Sequence, residues 1–193
     1  MATRNILKNG ENSLNKVSRE VTDFNKRLHI LLDDMRETLI EANGLGLAAP
    51  QIGVLRRVAL IVDTSDELDQ DSESDQDDEV ELSEEEIREH LNSKIIELVN
   101  PEIIENDGEQ SGREGCLSVP GVLGIVTRPL TVLIKAQDRD GNAFELEVSD
   151  LTARAACHEI DHLNGVIFTS VVDRLLTDEE IAELNSDEER EDQ

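Results

Sequence analysis

The segment Cys157-His158-Glu159-Ile160-Asp161-His162-Leu163-Asn164-Gly165 decides how the rest of the chain is read. His158 and His162 are four residues apart, so on a helix they share one face, with Cβ atoms about 5–6 Å apart. Two imidazoles at that spacing can hold one metal ion, and the carboxylate between them, Glu159, can handle protons beside it. Residues 151–164 read as the helix that carries them, with Gly165 as its stop.

A histidine pair needs further ligands. A His-x-x-Gly-x-x-His continuation would supply one, but the final position here is Phe168, which cannot coordinate. A carboxylate from a later helix is a second option, and only Asp173 and an acidic tail follow. Upstream, Glu114-Gly115-Cys116-Leu117-Ser118 offers a thiolate, a good ligand for zinc or ferrous iron. Cys116, His158 and His162 then make a three-ligand set with a position left open, as in a catalytic site.

Three stretches in order, Gly44-Leu45-Gly46-Leu47-Ala48-Ala49-Pro50-Gln51, Glu114-Gly115-Cys116-Leu117-Ser118 and His158-Glu159-Ile160-Asp161-His162, resemble the motifs of the peptide deformylases. The resemblance covers residues 1–63 and 94–176. It implies hydrolysis of the formyl group from N-formylmethionine at the start of a new polypeptide, releasing formate. The residues alone give metal-assisted amide hydrolysis. The resemblance further implies Fe²⁺ on Cys116, His158 and His162, with Zn²⁺, Ni²⁺ or Co²⁺ as possible substitutes. Glu159 would take a proton from water and pass it to the leaving amine. Gln51 and the backbone N–H of Leu117 would donate to the oxyanion, a kind of contact worth about 3 kcal/mol in other hydrolases. Leu45, Gly46 and Gly115 would offer backbone groups to the substrate peptide in strand-like pairing. Two rivals stay open: a small metallopeptidase, and a binding protein whose metal site is structural.

The net charge of −27 over 193 residues is concentrated in two segments. Residues 64–93 hold fourteen acidic side chains and one Arg, and residues 177–193 hold nine and one Arg, leaving −6 for everything else. Two segments therefore set the acidity, and no basic stripe suggests direct nucleic-acid binding. The short acidic tail also lacks a basic helix that could dock on ribosomal RNA. The two cysteines, Cys116 and Cys157, make no disulfide framework and fit a reducing compartment. Cys157 reads as a small buried hydrophobe, and His29 and His90 as solvated histidines. With no apolar leader or membrane-length stretch, the chain is expected to be a soluble, cytoplasmic monomer.

Along the chain, Phe24, Leu28, Leu31, Leu32, Met35, Leu39 and Ala42 have helical spacing, with Thr22 as N-cap and Gly44 as stop. Residues 54–62 read as a strand. Residues 95–104 read as one or two strands interrupted near Asn100-Pro101. Residues 130–138 and 143–148 flank Asp140-Gly141, a hairpin signal. Residues 166–172 are apolar and β-branched, so a strand is expected there. Residues 64–78 have too little apolar surface to offset ordering and read as a mobile loop. Ser83-Glu84-Glu85-Glu86 and Thr177-Asp178-Glu179-Glu180 are capping boxes opening short helices, the second fraying into residues 186–193.

The expected fold is α+β: antiparallel sheets packed around a central helix carrying the histidine pair, in one domain. The catalytic domain is placed at residues 1–176, interrupted by an acidic insertion over residues 64–93, with residues 177–193 as an acidic C-terminal helix and tail. Glu114 and Arg128 are expected to pair beside the metal site.

Overall fold

The computed structural model describes residues 2–65 and 83–191. In chain order the elements are α1 (Lys26–Glu41), β1 (Gly46–Ala48), β2 (Val58–Val62), α2 (Glu84–Lys94), β3 (Ile95–Asp107), β4 (Gln110–Cys116), β5 (Val119–Arg128), β6 (Thr131–Gln137), β7 (Ala143–Ser149), α3 (Asp150–Leu163), β8 (Arg174–Leu175) and α4 (Asp178–Glu191). Single 3₁₀ turns lie at Ala49–Ile52 and Phe168–Ser170. The strands form a five-stranded sheet in the order β1-β2-β3-β6-β7 and a three-stranded sheet in the order β4-β5-β8. The strand pairs are antiparallel.

β2, with the sequence Val-Ala-Leu-Ile-Val, is buried at every position. An unbroken apolar strand is what a sheet covered on both faces requires. On one face Val58, Leu60 and Val62 join the cluster with Leu28, Leu32, Met35 and Leu39 of α1. On the other, Ile61 joins the cluster that holds Ala153 and Ala156 of α3, together with Leu98, Val132 and Ile134. A third cluster, Leu14, Val119, Val126, Ile167 and Phe168, packs β5 of the smaller sheet against the chain that follows α3. The histidine-bearing helix is thus central, as expected, with alanines where it meets the larger sheet.

Several local expectations shift. The α1 N-cap is Asn25, whose side chain accepts from the N–H groups of Arg27 and Leu28. Residues 54–57 do not join β2, because Gly53 adopts φ +79° and the chain is still turning. Residues 95–104 belong to one strand, and the Asn100-Pro101 interruption is a bulge between Val99 and Glu102. Asn100 sits at φ +52°. Its side chain accepts from Val21 N–H (2.8 Å) and donates to the Val21 carbonyl (2.9 Å), replacing the ladder that Pro101 cannot complete. The expected strand over residues 166–172 is absent. Ser170 donates from N–H (2.9 Å) and Oγ (2.7 Å) to the Ile167 carbonyl, closing a 3₁₀ turn that buries Phe168. His29 is no free histidine: its Nε2 meets the Arg139 carbonyl at 2.9 Å.

Both capping boxes form. Ser83 and Glu86 exchange bonds at the start of α2, and Thr177 and Glu180 do so at the start of α4. α4 runs on to Glu191 instead of fraying from Ser186, in a stretch with no Gly or Pro to break it. α2 is tied to α1 through Arg88 with Glu37 and through Arg36, which donates to the Asn92 carbonyl at 2.7 Å. The loop expected over residues 64–78 lies outside the described residues from 66 onward. Thr64, before it, is buried and bonded to Thr152 at the start of α3.

Candidate active site

α3 presents His158 and His162 on one face, their ring centroids 4.9 Å apart and nearly perpendicular. Cys116, at the end of β4, faces them, with Sγ 3.2 Å from His162 Nε2. One ligand atom from each of these three residues lies within 4.8 Å of the others. Phe168 packs against His158 with ring centroids 6.0 Å apart, and Asp173 accepts from Thr127 at 2.8 Å, so neither belongs to this cluster.

Glu114 organises the site from behind. Its Oε2 lies 3.0 Å from His158 Nδ1, and both oxygens accept from Arg128, at 2.9 and 3.1 Å. Arg154 adds a bond of 3.1 Å, and Arg128 also holds Asp161 at 2.6 Å. Burial opposes charge on Glu114, but the bonds from His158 and Arg128 outweigh it and bring its pKa down to about 2. An ionised carboxylate only accepts, so His158 Nδ1 carries the proton and Nε2 faces the cluster. The expected Glu114–Arg128 pair is therefore present and is one part of a larger network.

The donor set fits a cation. Burial, then the charge of His158, depresses His162 to about 3, so its imidazole is neutral with a lone pair to give. His158 is buried too, yet the Cys116 sulfur and Glu114 outweigh that and raise it to about 10. A divalent ion held among these three residues would displace the proton from His158, as metal binding does at imidazole ligands. Glu159 is buried, and its Oε2 has no hydrogen-bond partner among the described residues. Burial, with Glu114 and Asp161 adding and His158 opposing, raises its pKa to about 7. A carboxylate poised near neutrality suits proton transfer.

Gln51 lies in the 3₁₀ turn after β1 and is buried. Its Oε1 accepts from Ala48 N–H at 2.8 Å, which turns the NH₂ toward Ser118 Oγ (3.3 Å) and Cys116 Sγ (3.6 Å). Gly46 is required beside Glu159, since a Cβ there would stand 2.5 Å from Oε1. Leu45, Gly46, Gly115, Cys116, Leu117 and Glu159 all line one cavity of about 510 Å³. The sequence-predicted site residues therefore share one groove, apart from His162, which is buried at its base.

A family model described as polypeptide deformylase matches residues 3–177. The chain belongs to the polypeptide deformylase family. Peptide deformylase from Caldicellulosiruptor bescii is 45% identical over 186 residues, covering 96% of this chain and 95% of its own. Peptide deformylase 1 from Bacillus subtilis is 41% identical, covering 95% of this chain and 99% of its own. Among solved structures, a peptide deformylase from Legionella pneumophila superposes with a TM-score of 0.71 at 34% identity, covering 98% of this chain and 99% of that one. The protein is thus a metal-dependent hydrolase of the deformylase class, which removes the N-formyl group from new polypeptides.

Three supporting parts of this deformylase went unread in the sequence. Ser118 is fully buried beneath Gln51. Arg154, one turn before His158 on α3, donates to the carbonyls of Val126 (2.9 Å) and Gly112 (3.3 Å) as well as to Glu114. Its signal was its spacing of four from His158. The N-terminal arm ties the two halves of the groove together: Leu7 donates to Gln51, and Asn9 to Ser118, both at 2.7 Å.

Proposed function

We propose that Cys116, His158 and His162 hold the working ion, that the ion is Fe²⁺, and that Glu159 is the proton carrier. The observation that carries this reading is three convergent ligand atoms within 4.8 Å beside a buried carboxylate oxygen with no partner. One sulfur and two nitrogens also suit zinc, nickel and cobalt. The ion, when bound, supplies a Lewis acid that polarises the formyl carbonyl and makes a water acidic.

The remaining roles belong to the chain. Glu159 takes a proton from the attacking water and returns it to the leaving amine, so that formate and a free amino terminus result. The Gln51 NH₂ and the Leu117 N–H donate to the oxygen on which charge develops. Glu114 and Arg128 fix the His158 ring, so no reorganisation is needed as charge moves. The free edges of β1 and β4 bound the groove, and Leu45, Gly46 and Gly115 pair with the substrate backbone there.

The substrates are formylmethionyl ends of nascent chains, met in the cytoplasm by a monomer. No helix among the described residues is long and apolar enough to cross a membrane. Residues 1–176 form the catalytic body, interrupted by an acidic insertion over 64–93, with 177–193 as an appendage; the family match over residues 3–177 supports the first limit.

The test is formate release from formyl-Met-Ala-Ser by protein prepared without oxygen and loaded with ferrous iron. Rapid release that decays in air, with slower but air-stable release from the zinc form, is the expected result. Cleavage of unformylated peptides instead would favour a peptidase, and equal zinc and iron activity would remove the case for iron.

A further inference from the structure

Charge at the mouth of the groove differs from charge on the rest of the molecule. The acidic side chains lining it, Glu114 and Glu159, are both buried and face inward. The exposed charged side chains lining it are Lys8 and Arg113, both cationic. Lys8 is engaged with the Leu117 carbonyl at 2.9 Å, at the metal end. Arg113 has no hydrogen-bond or ion-pair partner among the described residues. In a chain of net charge −27, a free arginine on the lip of the groove is a local reversal of sign.

Its position on β4 gives it a specific reach. Along β4, Gly112 and Glu114 turn inward while Arg113 and Gly115 are exposed. Arg113 and Gly115 therefore share a face, about 7 Å apart. β5 occupies one edge of β4, and the other edge is unpaired among the described residues. A peptide whose formyl end lies at Cys116 and which pairs with that edge runs antiparallel to β4, from Gly115 toward Arg113. The side chain directly across from Arg113 is then two residues beyond the one across from Gly115.

We propose that Arg113 makes this deformylase favour formylated peptides carrying an acidic side chain two residues beyond the residue paired with Gly115, an inference that rests on the strand-pairing reading above. The guanidinium offers several donors to a carboxylate and repels lysine at the same place. The net negative charge of the chain acts in the opposite sense, as a diffuse field. At about 0.15 M salt, where the screening length is about 8 Å, the contact between neighbouring side chains dominates.

The test uses metal-loaded full-length protein and formylmethionyl tetrapeptides with Glu, Gln or Lys at position two, three or four. The readout is the Glu:Lys ratio of kcat/KM within each variant, which is independent of how much of the sample is active. At one position the ratio should fall about ten-fold from wild type to Arg113→Glu, with Arg113→Ala between them. The change should shrink in 0.5 M salt. A ratio at every position that is the same in wild type and Arg113→Glu overturns the proposal. Failure of wild type to release formate even from the Gln peptides would instead remove the active-site reading, and this inference with it.

Discussion

The two sheets follow different rules. The five-stranded sheet is built from apolar runs, and β2 is buried on both faces. The three-stranded sheet supplies Cys116 and Glu114 to the site, and its β4 reads Gln-Ser-Gly-Arg-Glu-Gly-Cys, with no aliphatic side chain. The first is held mainly by area removed from water; in the second, β5 contributes a small apolar cluster, and β4 is held by pairing with β5 and by the arginines that gather on Glu114. Each sheet also holds a carboxylate between two arginines, half-buried in the larger sheet and buried in the smaller. Glu97 of β3 meets Arg36 and Arg139, and Glu114 of β4 meets Arg128 and Arg154. Only Glu114 also touches an expected metal ligand, His158. Chemistry is thus concentrated on β4 and α3, while the interior of the five-stranded sheet serves stability and its edge strand β1 reaches the groove.

Substitutions can break that division. The largest effect is expected at Glu159. Glu159→Ala should lower kcat about 10³-fold or more with bound metal and thermal stability unchanged, which metal analysis and calorimetry would check. A variant that keeps its activity would show that the proton travels by another route. Gln51→Leu should cost about 10²-fold in kcat, with little change in KM, because its NH₂ acts on charge that develops only during reaction. Loss in KM alone would make Gln51 a substrate contact.

In the five-stranded sheet the expected pattern is the reverse. Leu60, fully buried between β2 and α1, should cost about 2–5 kcal/mol when cut to alanine. Activity per folded molecule should survive, measured below the lowered transition. A variant as stable as wild type would mean that the site had collapsed around the cavity.

The smallest and sharpest comparison is between the two carboxylates. Burial opposes charge on Glu97, but its bonds from Arg139 and Arg36 outweigh this and hold its pKa below the usual 4.5. Its contribution to stability is therefore present above about pH 4.5 and lost as pH falls below that. The melting-temperature gap between wild type and Glu97→Gln should be a few degrees at neutral pH and close on acidification, with kcat unchanged. Glu114→Gln should lower kcat as well, since it loosens His158. If both variants altered only stability, the division between the sheets would fail.

The same contrast explains what the sequence revealed. The periodicity of residues 24–42, the Val-rich run at 58–62 and the Asp140-Gly141 turn gave α1, β2 and the β6–β7 hairpin, because burial there dictates the residues. β4 and β5 were not anticipated. Gly112, Gly115, Gly121 and Gly124 bring backbone close to other groups or turn the chain, and such residues give no strand signal. The candidate ligand cluster was legible from His158-x-x-x-His162 and Cys116, since metal chemistry restricts residue types. Arg154, Ser118 and the N-terminal arm were not, because their roles depend on contacts between elements far apart in the chain. Residues 166–172 look like a strand, yet their apolar groups fill gaps one at a time around a 3₁₀ turn.

The proposed activity depends on Cys116, His158 and His162 binding one ion together. X-ray absorption at the metal edge of iron- or cobalt-loaded protein tests that directly. We expect one sulfur and two imidazole nitrogens among the scatterers, with the sulfur lost in Cys116→Ser and retained in Cys157→Ser. A shell without sulfur in the wild-type protein, or one that changes with Cys157, would contradict the site described.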